Sequence, residues 1–272
     1  MSHVDLQGKS AVVTGASSGI GRAIAEQLAA SGAFVVVSGR DATAVADVVD
    51  RITAAGGRAT GLVIDLRDPS TVQSLVDAAV KETGRLDIFV NNAGVSYLGT
   101  ILDADVDQWR NMLETNVLAL LAGTKAAVVA MRAGGHPGHI VNISSVAALD
   151  PNSGVYGATK HAVNVISNTL RQELVNDPIK ITSVMPGLVA TNIGRNVDPA
   201  ILAGLVAMSG IDVPVVPGER LPDEVLVSAQ AALSEIMIRP EDIAEAVLFA
   251  VGQPVSVDVT DIVVRPVKPA NL

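Results

Sequence analysis

Apolar residues along this chain follow two alternating patterns, short continuous runs and longer runs with a helical period. The short runs are rich in β-branched residues, which is typical of strands that are covered on both faces. They predict strands over residues 10–14, 34–38, 61–64, 87–90, 139–143, 180–184 and 261–264.

The longer runs predict helices over residues 19–32, 70–82, 106–131, 156–176 and 240–251. In the first of them Ile20, Ile24 and Leu28 recur every four positions, and Gly32 ends the pattern. Pro240 suits the first position of the last helix. Alternation of strands and helices predicts a single-domain, Rossmann-type α/β fold over residues 1–272. We expect a doubly wound parallel sheet of about seven strands in the order 3-2-1-4-5-6-7, with helices on both faces.

One segment, residues 193–234, interrupts this rhythm with four prolines and a large apolar share. A connection of that length inside a compact domain is usually a functional lid or an interface. We therefore expect a substrate lid there, and its apolar stretches at 201–208 and 213–216 favour a hydrophobic or bulky substrate.

The composition of the chain limits the partners and the compartments that we expect for it. Apolar residues make up 49% of the 272 residues and charged ones 17%, enough to form a sizeable core. The net charge of −9 disfavours nucleic acid as a partner. Cysteine is absent, which fits a reducing compartment, and no uninterrupted apolar run approaches the roughly 18 residues of a membrane span. We expect a cytoplasmic protein that binds no membrane.

Glycines dominate the turn after the first predicted strand, TGASSGIG at residues 14–21. Missing Cβ atoms allow a pyrophosphate to approach the backbone, where the free N–H groups of a helix N-terminus can bind it. The spacing differs from the usual G-x-G-x-x-G, and a glycine-rich turn without a ligand is the alternative.

Arg40 follows the second predicted strand, at the position where an acidic residue would bind the adenosine ribose of NAD. A guanidinium there can pair with a 2′-phosphate, so the sequence favours NADP(H) over NAD(H). The alternative is a solvated surface arginine.

Polar or glycine-rich residues also follow the next four strands, at Asp65–Leu66, Asn91–Gly94, Ser144–Ser145 and Pro186–Gly187, with Thr191 shortly after. Each has a purely structural alternative, such as a turn or a tie between loops. Ligands of open parallel sheets bind outside the carboxyl ends of the strands, so together these residues indicate a binding site.

Tyr156 precedes Lys160 by four residues, so both lie on one face of a predicted helix. A nearby ammonium favours the phenolate, which would make Tyr156 a general acid for a carbonyl oxygen or a general base for an alcohol. A serine hydroxyl close by could stabilise the same oxygen.

Six motifs occur in order along the chain: TGASSGIG, NNAG, LETNV with Asn116, NISSVA with Ser145, YGATK and PGLVAT. By these motifs the chain resembles the short-chain dehydrogenase/reductase family. They cover residues 6–192, and the similarity resumes over 239–266.

The resemblance implies that Tyr156 is the catalytic acid/base, and that Lys160 lowers its pKa and binds the nicotinamide ribose. It implies that Ser145 orients the substrate oxygen, and that Asn116 holds a water of a proton relay. The short Ser145-to-Tyr156 spacing leaves Ser144 as an alternative. The cofactor residues that we expect are Gly15, Ser17, Ser18, Gly19, Ile20, Gly21, Arg40, Asp65, Leu66, Asn92, Ala93, Gly94, Tyr156, Lys160, Pro186, Gly187, Val189 and Thr191.

The function expected is an NADPH-dependent carbonyl reductase or alcohol dehydrogenase that acts on a ketone, an aldehyde or a secondary alcohol. The alternatives are an NAD-dependent alcohol dehydrogenase and a non-catalytic dinucleotide sensor on the same fold. The resemblance also implies a homotetramer or homodimer, with helices 106–131 and 156–176 at an interface. No metal is expected: His136 and His139 form an H-x-x-H without a third ligand and are interpreted as surface-loop residues.

Overall fold

The structure, a computed structural model, describes residues 4–97, 99–102, 104–197 and 199–268. Seven parallel strands form one sheet in the order β3-β2-β1-β4-β5-β6-β7. This order and the helices around the sheet confirm the predicted fold. The strands are β1 Ser10–Val13, β2 Phe34–Gly39, β3 Arg58–Val63, β4 Ile88–Asn91, β5 Gly138–Ile143, β6 Ile179–Pro186 and β7 Asp261–Val264.

Burial along each strand follows its place in the sheet. The central strands β1, β4 and β5 are buried at every position, which explains their continuous apolar or uncharged sequences. The outer strands β3 and β7 contain only exposed and half-buried residues, because each has a neighbouring strand on one side only.

Nine α-helices lie among the described residues. Their bounds are α1 Gly19–Ala30, α2 Ala42–Ala54, α3 Val72–Thr83, α4 Val106–Leu113, α5 Ala119–Gly134, α6 Gly154–Glu173, α7 Pro199–Ser209, α8 Asp223–Ala232 and α9 Pro240–Val251. Two apolar clusters form the main core. Val35 and Val37 of β2 belong to one cluster with α1, α2 and α9, whereas Val36 belongs to the other with α3 and α5. Alternate side chains of a strand therefore pack on opposite faces of the sheet.

Three helices lie outside the predicted set. Helix α2 carried a readable signal, because Val45, Val48 and Ile52 form a buried stripe and Asp41 caps the N-terminus by accepting from the Ala44 amide at 3.1 Å. Helices α7 and α8 lie in the segment that the sequence indicated as irregular. The apolar residues of α7 surround the helix, so it shows no amphipathic period.

The segment from Asn192 to Leu233, here called the lid, has a small core of its own. Leu202 and Val206 of α7 pack with Leu221, Val225 and Leu226 at and near α8. Much of the apolar sequence that suggested a hydrophobic substrate is therefore used to hold the lid together.

Helices α4 and α5 are joined by a π turn, Glu114–Leu118, into one continuous helix over Val106–Gly134. By length and composition alone this helix could cross a membrane, although no uninterrupted apolar run suggested one. Its inner side is buried in the described structure, including Leu120, Ala127 and Met131, and Ala127 and Met131 belong to the core on one face of the sheet.

Candidate active site

The glycine turn between β1 and α1 is sterically closed to larger residues. Gly15 has a φ of +63°, and a Cβ there would lie 2.8 Å from the Cα of Ala93. A Cβ on Gly21 would lie 2.4 Å from Asn92 Nδ2 and 2.5 Å from the carbonyl oxygen of Gly15. The turn therefore packs directly against the loop after β4, with backbone rather than side chains at its surface.

Amides and a hydroxyl fix that contact. Asn92 Nδ2 donates to the carbonyl oxygens of Thr14 and Gly15 at 2.8 and 3.1 Å. The Thr14 hydroxyl accepts from the amides of Asn92 and Ala93 at 2.9 and 3.1 Å. Asn91 instead points into the protein and donates to Thr124 Oγ1 and Asn142 Oδ1. The NNAG loop thus ties the first and fourth strand ends together and leaves Gly94 beside the cavity.

A cavity of about 710 Å³ opens at these strand ends. Thirteen of the predicted cofactor residues line it: Gly15, Ser17, Ser18, Gly19, Ile20, Gly21, Arg40, Asp65, Leu66, Asn92, Ala93, Gly94 and Thr191. Sequence reasoning missed several others, notably Arg67, Thr115, Asn192, Ile193, Arg195, Gly218, Glu219 and Arg220. Six of these come from the lid, whose position no local pattern indicated.

Pro186, Gly187 and Val189, which were also predicted to contact the cofactor, do not line this cavity. Pro186 is the last residue of β6 and pairs with β7, and the Gly187 amide donates to the Val264 carbonyl at 2.7 Å. Val189 is buried and forms a bridge with Ile238. Pairing with β7 and with Ile238 engages these three positions in the sheet and its extension.

Asp65 lines the cavity, but its carboxylate is already paired. The guanidinium of Arg67 donates from Nε to both of its oxygens at 3.0 Å. The hydrogen bond from Arg67 holds the pKa of Asp65 below its ordinary value.

Arg40, at the end of β2, is exposed, lines the same cavity and forms no ion pair among the described residues.

The two serines after β5 point in opposite directions. Ser144 Oγ donates to the backbone carbonyl of Lys160 at 3.1 Å and is buried. Ser145 accepts from the Ala147 amide at 3.1 Å and hydrogen-bonds the phenol of Tyr156. Alternation along an extended backbone explains the difference, and it makes Ser145 the serine that can share an oxygen with Tyr156.

Tyr156 and Lys160 lie on the same face of α6, with Lys160 Nζ 6.0 Å from the centroid of the phenol ring. The ammonium donates to the Ile143 carbonyl at 2.8 Å and is 3% exposed. Burial lowers the pKa of Lys160 to about 8, so the side chain still carries its charge at neutral pH.

The phenol itself does not become more acidic in this geometry. Burial raises the pKa of Tyr156 above its ordinary value, and the hydrogen bond with Ser145 offsets only part of that rise. The ammonium is turned toward Ile143 and does not contribute to this shift, so the lowering by Lys160 that the resemblance implies stays a prediction. At neutral pH the phenol keeps its proton, which suits a general acid.

Asn116 lies in the π turn, where its side chain joins three elements. Its Oδ1 accepts from the Val95 amide at 2.9 Å, and its Nδ2 donates to the Val95 carbonyl and to Thr159 Oγ1 at 2.9 and 3.0 Å. Both amide donors are used, so a relay water would have to bind through an acceptor oxygen of Asn116. A π turn at a functional residue is a recurrent feature of helices.

Gly94 connects these side chains to the cavity. A Cβ on Gly94 would lie 3.4 Å from Asn116 Oδ1 and 3.5 Å from Lys160 Nζ. Neither Tyr156 nor Lys160 lines the cavity, but Lys160 Nζ lies directly behind Gly94, which does, and Tyr156 lies on the same face of α6 as Lys160. The arrangement can therefore deliver a proton to a ligand that reaches Gly94.

The residues fit a dinucleotide. Thr191 Oγ1 is buried without a hydrogen-bond partner among the described residues, and its Cγ2 lies 3.0 Å from the position of a Cβ on Gly19. An unpaired buried hydroxyl at the N-terminus of α1 matches the place where a pyrophosphate would accept hydrogen bonds. When bound, a nicotinamide dinucleotide supplies the hydride, and the chain supplies binding and the proton.

The described residues contain no group of three or more side chains suited to a metal ion. His136 is exposed, as expected, but His139 is not a loop residue. It is buried in β5, where Nε2 lies 2.7 Å from Thr182 Oγ1.

Comparison with known proteins agrees with this geometry. The family model described as short chain dehydrogenase matches residues 9–201, and the chain belongs to this family. An uncharacterised oxidoreductase of Methylorubrum extorquens is 41% identical over 231 residues, which is 76% of this chain and 92% of the relative.

Two solved structures extend the likeness to nearly the whole chain. A metagenomic short-chain oxidoreductase in complex with NADP is 30% identical, with a TM-score of 0.74 over 96% of this chain and 98% of that one. A 7α-hydroxysteroid dehydrogenase complexed with NADH and 7-oxo glycochenodeoxycholic acid is 28% identical, with a TM-score of 0.77 over 97% and 95%. Structures similar to this chain have therefore been solved with NADP and with NADH.

Proposed function

We propose that this protein is an NADPH-dependent carbonyl reductase, which reduces a ketone or aldehyde to an alcohol and catalyses the reverse oxidation at high pH. One observation carries the proposal. The Tyr156 phenol hydrogen-bonds Ser145 on the face of α6 that holds the buried Lys160 ammonium, next to the glycine that closes a dinucleotide-sized cavity.

The direction of the reaction follows from the protonation of the phenol. Because burial raises the pKa of Tyr156, the protonated form predominates at neutral pH and can donate to a carbonyl oxygen. Ser145 can donate a second hydrogen bond to the same oxygen as negative charge develops there. Alcohol oxidation needs the phenolate, so its rate is expected to rise as the pH increases toward 10 and above.

Arg40 supports NADP(H) as the cofactor, since it lines the cavity at the end of β2 and has no acidic partner within ion-pair distance among the described residues. The metagenomic relative crystallised with NADP is consistent with this choice. For the substrate we propose a hydrophobic carbonyl compound, because the lid leaves Ile193, Ile201, Met208 and Val216 between 37% and 48% exposed.

The decisive experiment compares Tyr156→Phe with Tyr97→Phe. Both variants lose one phenolic oxygen, but that of Tyr97 accepts a hydrogen bond from Asn111 at 2.8 Å, and the proposed mechanism assigns it no step. We expect Tyr156→Phe to reduce kcat by about 10²–10⁴-fold, while the dissociation constant for NADPH and the activity of Tyr97→Phe stay near wild type. Undiminished turnover in Tyr156→Phe would remove the proton-donor role.

Substrate and cofactor classes need a separate measurement. Bulky aryl ketones should give a higher kcat/KM than small charged keto acids, and the opposite ranking would contradict the hydrophobic assignment.

Arg40→Asp should move the preference from NADPH toward NADH, because a carboxylate repels the 2′-phosphate and can bind the ribose hydroxyls.

We also propose a cytoplasmic homodimer or homotetramer. The helices α4, α5 and α6 expose apolar side chains, among them Leu113, Leu121, Val129 and Val165 at 42% to 61%, as an interface would require. Light scattering after size-exclusion chromatography would test the assembly, and cell fractionation the location.

A further inference from the structure

Three arginines converge on the wall of the dinucleotide cavity. Arg40 comes from the end of β2, whereas Arg195 and Arg220 come from the lid. Arg220 Nη2 lies 3.5 Å from Ser17 Oγ in the glycine turn. The same Ser17 oxygen lies 2.8 Å from the position of a Cβ on Gly39, the residue before Arg40. The lid guanidinium therefore reaches the strand end from which Arg40 projects.

Backbone contacts hold the two lid arginines in place. Two hydrogen bonds, here called the Asn192 clip, join the buried Asn192 side chain to the backbone of Leu221. Asn192 Oδ1 accepts from the Leu221 amide at 2.8 Å, and Asn192 Nδ2 donates to the Leu221 carbonyl at 3.0 Å. The Gly218 amide donates to the Arg195 carbonyl at 3.1 Å. These bonds fix the segment that carries Arg220 against the turn that carries Arg195.

The lid is also anchored to the helix that begins at the glycine turn. Arg22 of α1 forms an ion pair with Asp223, the first residue of α8. The position of Arg220 is therefore set relative to the cofactor cavity by contacts on both sides of it along the chain.

The charges of this cluster are not neutralised by the protein. Arg195 is half-buried and donates to the Asn192 carbonyl at 3.0 Å. Burial lowers the pKa of Arg195 first, and the positive charges of Arg220 and Arg40 lower it further. Within the described ranges, none of the three guanidiniums forms an ion pair.

The acidic groups on the same wall do not balance the positive charge of the three arginines. Asp65 is paired with Arg67, and the Asp41 carboxylate caps helix α2. Glu219 is exposed and forms no ion pair among the residues that the structure describes. Once the Asp65–Arg67 pair is set aside, this wall carries three positive charges and two negative ones, those of Asp41 and Glu219. The excess of positive charge favours an anionic ligand there.

We propose that Arg220, supported by Arg195, joins Arg40 in binding the 2′-phosphate of NADP(H), so that the lid takes part in the discrimination between NADP and NAD. This inference rests on the NADP(H) preference given under the proposed function. Because the phosphate bridges the lid to the end of β2, cofactors that carry it order the lid and cofactors that lack it do not.

Binding of adenosine fragments tests the contact without catalysis. 2′,5′-ADP carries the phosphate in question, and 5′-AMP lacks it but is otherwise the same. In titration calorimetry we expect Arg220→Gln to weaken 2′,5′-ADP by about 10-fold or more, the usual effect of a lost charge-assisted hydrogen bond, and to leave 5′-AMP unchanged. Arg220→Lys should recover part of the affinity. Arg110→Gln is the matched control, because Arg110 pairs with Asp107 on the exposed side of α4.

Hydrogen exchange of residues 192–222 provides a second readout. In the wild type, 2′,5′-ADP should slow amide exchange in this segment and 5′-AMP should not. Arg220→Gln should abolish the difference between the two ligands, while Arg110→Gln should preserve it.

The outcomes separate this inference from the proposed function. If Arg40→Gln weakens 2′,5′-ADP and Arg220→Gln does not, the lid contact is wrong and the NADP(H) assignment stands. Equal weakening of both fragments by Arg220→Gln would also overturn the contact with the 2′-phosphate. If the wild type binds both fragments equally, the NADP(H) preference fails and the lid inference fails with it.

Discussion

The glycine turn and the lid face each other across one cavity, but different forces hold them. The turn is fixed by backbone contact: a single added carbon at Gly15 or Gly21 would come within 2.8 Å of another residue's backbone or amide. The lid is held by a small apolar core around Leu202 and Leu226, by the Asn192 clip and by charged side chains. Substitutions in the lid change side chains only, whereas substitutions at the glycines of the turn would displace backbone. The lid therefore tolerates changes of sequence far more readily than the glycine turn.

This contrast explains how one fold can keep its cofactor and change its ligand preferences. Steric closure leaves few sequences compatible with the turn, whereas a lid with a separate core can repack without disturbing the sheet. Unfolding of the lid breaks only that small core, the hydrogen bonds of Asn192 and the ion pair of Asp223, so it can occur at a lower free energy than global unfolding.

The largest effect is expected from Gly21→Ala. The new Cβ would lie 2.4 Å from Asn92 Nδ2 and 2.5 Å from the Gly15 carbonyl, well inside the ~3.5 Å of ordinary contact. We expect destabilisation of about 4 kcal/mol or more, or a distorted turn that no longer binds NADPH. Urea unfolding would measure the stability, and calorimetry would measure the affinity for NADPH. A variant with normal stability and affinity would show that the turn can move to accommodate the added methyl group.

The next effect compares the two cores. Leu75→Ala in α3 and Leu226→Ala in α8 each remove a buried leucine, at a typical cost of about 2–5 kcal/mol. Leu75→Ala should lower the global free energy of unfolding. Leu226→Ala should instead speed hydrogen exchange in residues 199–232 and leave the sheet amides protected. Equal loss of protection in sheet and lid would mean that the two regions unfold as one unit.

A smaller effect should appear with pH in the sheet, through His139. Burial lowers the pKa of His139 to about 3, so the folded protein keeps it neutral while the unfolded chain takes up a proton below about 6.5. Stability should therefore fall as the pH decreases from about 6.5 toward 3, by up to about 1.4 kcal/mol per pH unit, or about 2 kcal/mol at pH 5.

The matched variants for this pH effect are His139→Gln, which should flatten the dependence, and His136→Gln at an exposed position, which should not. Urea unfolding of each at pH 7.5 and 5.0 is the measurement. An unchanged slope in His139→Gln would assign the acid sensitivity to other groups.

The smallest effect is expected from Gly204→Ala in α7. A Cβ there would meet no atom within 4 Å, and the residue is exposed within a helix. Alanine should stabilise the helix by up to about 1 kcal/mol and slow exchange in α7. Together with Gly21→Ala, the same substitution would have opposite effects on stability in the glycine turn and in the lid, and a destabilised Gly204→Ala would contradict the view of an adaptable lid.

Most of the fold was predictable because its signals are local. The continuous apolar strands and the helical period of α1 reflect burial that each element imposes on its own sequence. Helix α2 was missed although its stripe at Val45, Val48 and Ile52 was present, so that omission was one of interpretation. Helix α7 could not be recognised by period, because apolar residues surround it and its core partners lie in α8.

The sequence by itself determined the glycine turn, the Tyr156–Lys160 pair and the likeness to the family, since each depends on spacing within one turn or one helix. Only the tertiary structure decided that Ser145 rather than Ser144 meets the phenol, that Lys160 turns to Ile143, and that burial keeps the phenol protonated. It also placed Arg220 beside Ser17, 203 residues away in the chain. Distances between separate elements follow from packing of the whole sheet, and no local spacing encodes them.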